Sequence, residues 1–340
     1  MALKPPVEVP QGAIRLNTDS QKLEFFAQDQ WWEMATEGVI APIAGRGLMF
    51  SGYTSPAPTN VIDYITISTQ GNSADFGDLS YAAHVGVAMG SRTRGLYGGG
   101  QDPSGNTLNT ISYVTFATQG NAADFGDMDT VNKIAVGGVS DTTRGVWGGG
   151  NTPGKSDVIE YITMASTGNS IDFGNLTDSR ADGGGVCSTT RGVFGGGYDP
   201  SMKDVMDYIT IQSTGDAVDF GNLSQASRVT QSACSATLGV FAGGYTPTVY
   251  NNIDYITIAS TGNAQDFGDL HTPAGIGGAG GSMSDSTRGV FVHCYQPGGE
   301  TNTLSYITFT TKGNSIDFGD RSQSGYQGPG QTSNTHGGLG

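Results

Sequence analysis

Residues 167–175 read "TGNSIDFGN" and residues 312–320 read "KGNSIDFGD". Four further relatives of this phrase occur along the chain. Asp-Phe-Gly starts at Asp75, Asp124, Asp172, Asp219, Asp266 and Asp317, with gaps of 49, 48, 47, 47 and 51 residues. A Tyr-Ile-Thr-like phrase starts at Tyr64, Tyr113, Tyr161, Tyr208, Tyr255 and Tyr306 with the same gaps. Upstream of it, Arg-Gly starts at Arg46, Arg94, Arg144, Arg191 and Arg288, and the fifth unit reads Leu238-Gly239 instead. Three landmarks in register identify an internal repeat.

Each unit reads as four short strands. In residues 85–128 these are "GVAMG", "RGLYGGG", "NTISYVTFAT" and "AADFGDM". Val, Ile, Tyr, Phe and Thr dominate the third, and Gly-Asn, Gly-Asp and Asp-Pro pairs mark the turns. No segment keeps a helical period. One four-stranded sheet cannot bury both of its faces, but a ring of such sheets can. The pattern predicts an all-β fold with a six-bladed β-propeller over residues 39–340. The tail "RSQSGYQGPGQTSNTHGGLG" (321–340) contains "SNTHGGLG", similar to "SRTRGLYG" at 91–98, so it is expected to complete the first blade. A degenerate seventh blade, from residues 33–45 plus the tail, is the alternative.

Composition narrows the function. Gly supplies 55 of 340 residues, charged residues are 14%, and the net charge is −15. A diffusely acidic chain is a poor partner for a nucleic-acid backbone, which needs clustered Lys and Arg. No apolar run reaches about 18 residues, so no membrane insertion is expected, and "MALKPPVEVPQGAIRLN" lacks the apolar region of a secretory signal. Cys187, Cys234 and Cys294 are an odd number without a C-x-x-C motif, and they read as buried thiols. Cys187 and Cys234 each lie four residues before the same repeat landmark.

The glycine clusters at 98–100, 148–150, 195–197 and 242–244, each followed by a Tyr-bearing strand, resemble the kelch group of β-propellers. The units depart from that pattern with "FSG" at 50–52, "VHC" at 292–294 and Asp-Phe-Gly near the place of the kelch tryptophan. The resemblance implies the architecture, and kelch propellers serve mostly as binding platforms. A second resemblance lies in "PQGAIRLNTDSQKLEFFAQDQWWEM" (10–34), similar to a short hairpin of tailed-bacteriophage structural and fibre proteins. It rests on Gly12, Ile14, Arg15, Asn17, Thr18, Asp19, Lys22, Leu23, Glu24, Phe25 or Phe26, and Trp31 or Trp32. Together with the regular Asp-Phe-Gly repeats it implies a virion structural protein of a tailed phage, with a cyanophage as one expected source, made in the host cytoplasm and located in the particle.

Read without that resemblance, "AIRLN" and "KLEFFA" alternate as the two strands of a hairpin around "TDSQ". Such a hairpin is marginal alone, so Ile14, Arg15, Leu23, Phe25, Phe26, Trp31 and Trp32 are candidate attachment residues. They bury themselves either on the chain's own propeller or on another virion protein. Residues 1–38 are thus the expected attachment segment.

Catalytic and metal motifs are weak. His84, His271, His293 and His336 have no metal-ligand spacing, and no Ser, His and Asp set stands outside the repeat. The chain reads as a non-enzyme with no cofactor and no metal. Turn pairs such as Asp75 with Asp78 and Asp317 with Asp320 suit Asx turns better than Ca²⁺. Arg46, Arg94, Arg144, Arg191 and Arg288 are expected to be structural, bonding turn oxygens of their own or the next blade, the repeat Asp among them. Leu238 would replace that bond with apolar contact. The loops after the glycine clusters vary freely, which makes Tyr53, Tyr198, Tyr245 and Tyr250 candidates for a binding face.

The sequence thus predicts an exposed fibre or spike component, a homo-oligomer on the particle. It would join other virion proteins through its N-terminal segment and adsorb to host-surface carbohydrate or protein. The alternatives are a capsid or tail decoration protein without a receptor role, and a cellular kelch-like binding module.

Overall fold

Strands form where β-branched and aromatic residues alternate between glycine-rich turns. The computed structural model describes residues 9–17, 22–33, 45–129, 135–152, 154–228, 230–273, 282–325 and 327–340. The chain divides into two compact units, Met1–Ile43 and Ala44–Gly340. The boundary expected near residue 38, most of the segment considered for a seventh blade and the "TDSQ" turn lie outside the described residues.

The described residues of the first unit form three antiparallel strands, Ile14–Asn17, Lys22–Ala27 and Gln30–Glu33, in that order. A two-stranded hairpin was expected, and "QWWE" adds the third strand. Its turn is Gln28-Asp29, with φ of 51° and 61°. Two consecutive positive φ values match the twist of a hairpin, but Gln-Asp lacks the glycine that usually announces such a turn.

The described residues of the second unit form six antiparallel sheets. Sheet 2 is Val87–Gly90, Arg94–Gly98, Thr110–Thr115 and Ala123–Asp127. Sheet 3 is Gly137–Ser140, Arg144–Thr152, Gly154–Thr163 and Ile171–Asn175. Sheet 4 is Gly184–Cys187, Arg191–Gly195, Lys203–Thr210 and Val218–Ser227, and sheet 5 is Gln231–Cys234, Leu238–Thr246, Thr248–Thr257 and Gln265–Asp269. Sheet 6 uses Arg288–Val292, Gly299–Thr308 and Thr311–Gly325, with Ser284 bridged to Gly289. Sheet 1 uses Arg46–Phe50, Ala57–Thr66 and Ala74–Ala83 and takes one strand from the far end of the chain. Gly330 pairs with Phe50, and Ser333 with Gly47. "GGLG" itself is not a strand, because Gly337–Leu339 turns as a short 3-10 helix.

The repeated phrase shapes each sheet and joins it to the next. In sheet 3, Ile159 faces Gly174 and Glu160 faces Asp172, so Phe173 is the extra residue of a β-bulge. The bulge turns Phe173 inward, 2% exposed, while Asp172 stays outside. All six Phe residues are buried and meet the Tyr of their sheet edge to face, at centroid distances of 5.8–6.1 Å. Burying each contributes about 1.5–3 kcal/mol.

The Gly-Asn pair works across the boundary. Gly168 N–H donates to the Phe125 carbonyl of sheet 2 at 2.8 Å, and Asn169 Oδ1 accepts from Asp127 N–H at 3.0 Å. The Gly amide makes the same bond from sheet 2 to sheet 1, from sheet 4 to sheet 3 and from sheet 5 to sheet 4. Gly71 of sheet 1 donates to Phe318 of sheet 6, at 2.9 Å. The Asn oxygen, or Asp216 in sheet 4, repeats its bond at all six boundaries. Each sheet therefore touches the next, and the sixth touches the first. The glycine of Asp-Phe-Gly is required here: Gly126 has φ of 148°, and a Cβ on it would lie 2.4 Å from the Gly168 oxygen.

One further link was not visible in the sequence. Arg180 and Asp207, both fully buried, form an ion pair of 2.6 Å between the end of sheet 3 and sheet 4. Arg180 also donates to the Gly196, Asp178 and Phe194 carbonyls, and Asp207 accepts from Thr177. Arg180→Met leaves Asp207 buried without its cation, and is expected to lower the unfolding free energy by about 3–5 kcal/mol in urea denaturation. Adding Asp207→Leu should recover most of that loss.

Candidate functional site

Alternation along the three N-terminal strands separates two unlike faces. Ile14 lies opposite Phe25, Phe25 opposite Trp32, and Leu16 opposite Leu23. These five side chains share one face and are exposed, from 37% for Phe25 to 64% for Ile14. An exposed apolar strip of this kind is unusual on so small a sheet. The opposite face is bonded within itself. Arg15 Nε meets Glu24 Oε2 at 2.8 Å, and Asn17 Nδ2 meets Oε1 at 2.8 Å. The Arg15 guanidinium lies 4.1 Å over Trp31, whose ring meets Phe26 edge to face. The seven candidate attachment residues thus divide: Ile14, Leu23, Phe25 and Trp32 are on the exposed apolar face, while Arg15, Phe26 and Trp31 brace the sheet.

The repeat arginines sit at the sheet boundaries. Each guanidinium stacks on the Tyr of its own sheet, at 4.3–5.1 Å from the ring centroid. Each also donates Nη1 to a carbonyl of the next sheet: Arg46 to Phe116, Arg94 to Met164, Arg144 to Ile211, Arg191 to Ile258, and Arg288 to Ile67. Their partners are backbone oxygens. Asp75, Asp124, Asp172, Asp219, Asp266 and Asp317 stay exposed on the outer side of their bulges. The buried carboxylates precede the Tyr instead. Asp63, Asp207 and Asp254 accept hydroxyl protons from Ser322, Thr177 and Ser224 of the preceding sheet.

In sheet 5, Leu238 packs on the apolar cluster that holds Tyr255 and Phe309. Apolar contact is only part of the replacement. Lys312 of sheet 6 places its ammonium 3.8 Å over the Tyr255 ring and donates to the Tyr255 hydroxyl.

The four loop tyrosines are half-buried. Tyr198 and Tyr245, from neighbouring sheets, flank the Arg228 guanidinium at 5.3 and 5.1 Å, and Lys155 approaches Tyr198 at 5.7 Å. Arg228 Nε is buried without a hydrogen-bond partner. Tyr250 pairs opposite Gly244 in the same sheet as Tyr245, and burial pushes its hydroxyl up to about 12. Tyr53 lies in sheet 1, edge on to His84 at 5.4 Å, and donates to the Pro56 carbonyl. The structure therefore joins Tyr198, Tyr245 and Tyr250 in one region and leaves Tyr53 in another.

Histidine and cysteine positions carry the largest difference from the sequence reading. His271 and His293 face each other at 5.3 Å, and burial followed by the His271 charge lowers His293 to about 3. His336 is 2% exposed and meets two of the three thiols. Cys187 Sγ lies 3.8 Å from Cys234 Sγ and 3.6 Å from His336 Nδ1. The hydrogen bond that the Cys187 thiol gives to Cys234, then burial, raises the Cys187 thiol. Burial also raises Cys234, but bonds with Cys187 and His336 outweigh it and hold that thiol below its ordinary range. The shared repeat position of the two cysteines was the available signal. His336 lay hidden because no spacing relates it to either.

Two outcomes follow from the braces. The Asn17 amide and then the Arg15 guanidinium lower the Glu24 carboxyl from its ordinary 4.5. A carboxyl lowered by folding adds stability that is fully present above 4.5 and lost as pH falls through the folded value. Acid titration of Trp31 and Trp32 fluorescence in a Trp147→Phe background should show this loss, and Glu24→Gln should flatten it. Lys312→Met should cost about 0.5–1 kcal/mol in thermal denaturation, with Leu238→Arg restoring the cation from the other side. Comparison of the chain with protein-family models and with curated proteins gives no match.

Proposed function

We propose that this chain is a structural and adsorption component of a tailed-phage particle, with a β-propeller head of six blades and an N-terminal anchoring sheet. The observation that carries the reading is the outward face of Ile14, Leu16, Leu23, Phe25 and Trp32 on a small unit of its own. A three-stranded sheet this small gains little from its own core. Covering that face with another virion protein supplies the missing apolar burial, at about 25 cal/mol for each Å² removed from water. The resemblance of residues 10–34 to phage fibre hairpins supports the same partner.

The propeller reading draws on the succession of boundary bonds from sheet 1 to sheet 6 and back to sheet 1. It also draws on the strand Gly330–Ser333, which joins distant ends of the chain within sheet 1. The role is structural rather than catalytic. Surface grooves recur beside the Tyr-Ile-Thr strands of sheets 1, 2, 4 and 5, a multiplicity that suits a scaffold. The region of Tyr198, Arg228 and Tyr245 gathers half-buried aromatic rings around a guanidinium, chemistry that suits a host-surface carbohydrate or protein. The protein would stand as a homo-oligomer on the virion.

The test is incorporation. Removing residues 1–38, or introducing Phe25→Asp with Trp32→Asp, should leave a folded head that is missing from purified particles by mass spectrometry. Normal incorporation of either variant refutes the anchor. Loss of incorporation with unimpaired host adsorption by the mutant particles would identify a decoration protein instead. Absence of the intact chain from particles would favour a cellular binding module.

A further inference from the structure

Three soft ligand atoms converge in the interior of the second unit. Cys187 ends the first strand of sheet 4, Cys234 ends the first strand of sheet 5, and His336 follows the C-terminal strand of sheet 1. We infer that Cys187, Cys234 and His336 form a binding site for one zinc ion.

Two of the three ligand distances suit that ion, and all three atoms lie within 4.8 Å of one another. Two Zn–S bonds of about 2.3 Å at the tetrahedral angle put their sulfurs about 3.8 Å apart, and a Zn–S bond beside a Zn–N bond of about 2.0–2.1 Å puts sulfur and nitrogen about 3.6 Å apart. The sulfurs lie 3.8 Å apart, and Cys187 Sγ lies 3.6 Å from His336 Nδ1. The histidine is also in the correct tautomer. Its Nε2 lies 2.9 Å from the Gly90 carbonyl, which can only accept, so Nε2 carries the proton. That leaves the Nδ1 lone pair on the side of the thiols, the arrangement by which a backbone carbonyl orients a metal-binding imidazole. Nδ1 also receives a long contact of 3.2 Å from Gly338 N–H, which the ion would displace.

The surroundings hold the geometry. Gly337 and Gly338 let the C-terminal segment pass against sheets 3, 4 and 5: a Cβ on Gly337 would lie 2.0 Å from the Ser235 oxygen, and one on Gly338 would lie 1.8 Å from the Ser140 oxygen. All three ligands are buried, which is tolerable for a neutral set. Zn²⁺ with two thiolates and a neutral imidazole has no net charge. Binding breaks the two S–H bonds and releases both protons to solvent, while Nδ1 donates a lone pair it already carries. Three protein ligands leave one coordination position for a small molecule such as water. Because the site needs the segment 330–340 in place, the ion would pin that segment to sheets 4 and 5.

Full-length protein purified with zinc and a thiol reductant should contain about one zinc per chain by elemental mass spectrometry. Cys187→Ser, Cys234→Ser and His336→Gln should each cut zinc affinity roughly tenfold or more, while Cys294→Ser keeps it. Where a serine variant fails to fold, the native chain loaded with Co²⁺ decides, and a thiolate-to-cobalt charge-transfer band is expected. Chelation should raise amide hydrogen exchange across residues 330–340. Zinc-free protein with three titratable thiols, copper in place of zinc, a Cys187–Cys234 disulfide seen as the loss of two hydrogens, or no cobalt band would each overturn the assignment.

Discussion

The bond from a glycine amide to the phenylalanine carbonyl of the preceding sheet is the contact on which the large unit depends. A four-stranded sheet ends in an outer strand whose amides and carbonyls face water or another chain. Here Gly168 and Ser170 of sheet 3 donate to Phe125 and Asp127 of sheet 2, so outer-strand carbonyls are satisfied by the neighbouring sheet. The contact tolerates no side chain at the facing glycine of Asp-Phe-Gly, whereas a Cβ on the donor glycine Gly168 would meet nothing within 4 Å.

What the contact aligns is apolar. Phe50, Phe76, Tyr97, Val114 and Phe116 form one cluster across sheets 1 and 2, and Met49, Ile65, Met283, Val290 and Phe318 form another across sheets 6 and 1. The core therefore lies between sheets rather than within any one of them. The arginines reinforce the same boundaries. Each covers a tyrosine of its own sheet with its guanidinium face and reaches across with its N–H edge, a pair of tasks that Lys could not perform in one geometry.

Much of the architecture was legible because the repeat displays it. Four strands per unit follow from alternation and turns, and "GVAMG" through "AADFGDM" match the four strands of sheet 2 closely. The third N-terminal strand was not legible, since Gln28-Asp29 adopts positive φ without glycine. Nor was the bulge, which leaves Ile171 and Asp172 both exposed before the buried Phe173, where strict alternation would bury Ile171. Lys312 left a trace. It is the one basic residue among the six copies of the phrase, and it follows the one unit that lacks the arginine. The cluster of Cys187, Cys234 and His336 needs three segments brought together in space, and one-dimensional spacing carries no record of that.

The strand at Gly330–Ser333 has a kinetic meaning. It meets Arg46–Phe50 across nearly the whole of the second unit. Closing so long a loop costs about 4 kcal/mol more chain entropy than closing a turn-sized connection within a sheet. Sheets 2 to 5 can form from local hairpins as soon as their own strands exist. Sheet 1 must wait with backbone amides and carbonyls of Arg46–Phe50 unpaired on one edge until that strand arrives. The order of assembly is thereby fixed by connectivity, and the final strand acts as the latch that ends the chain's exposure to its neighbours.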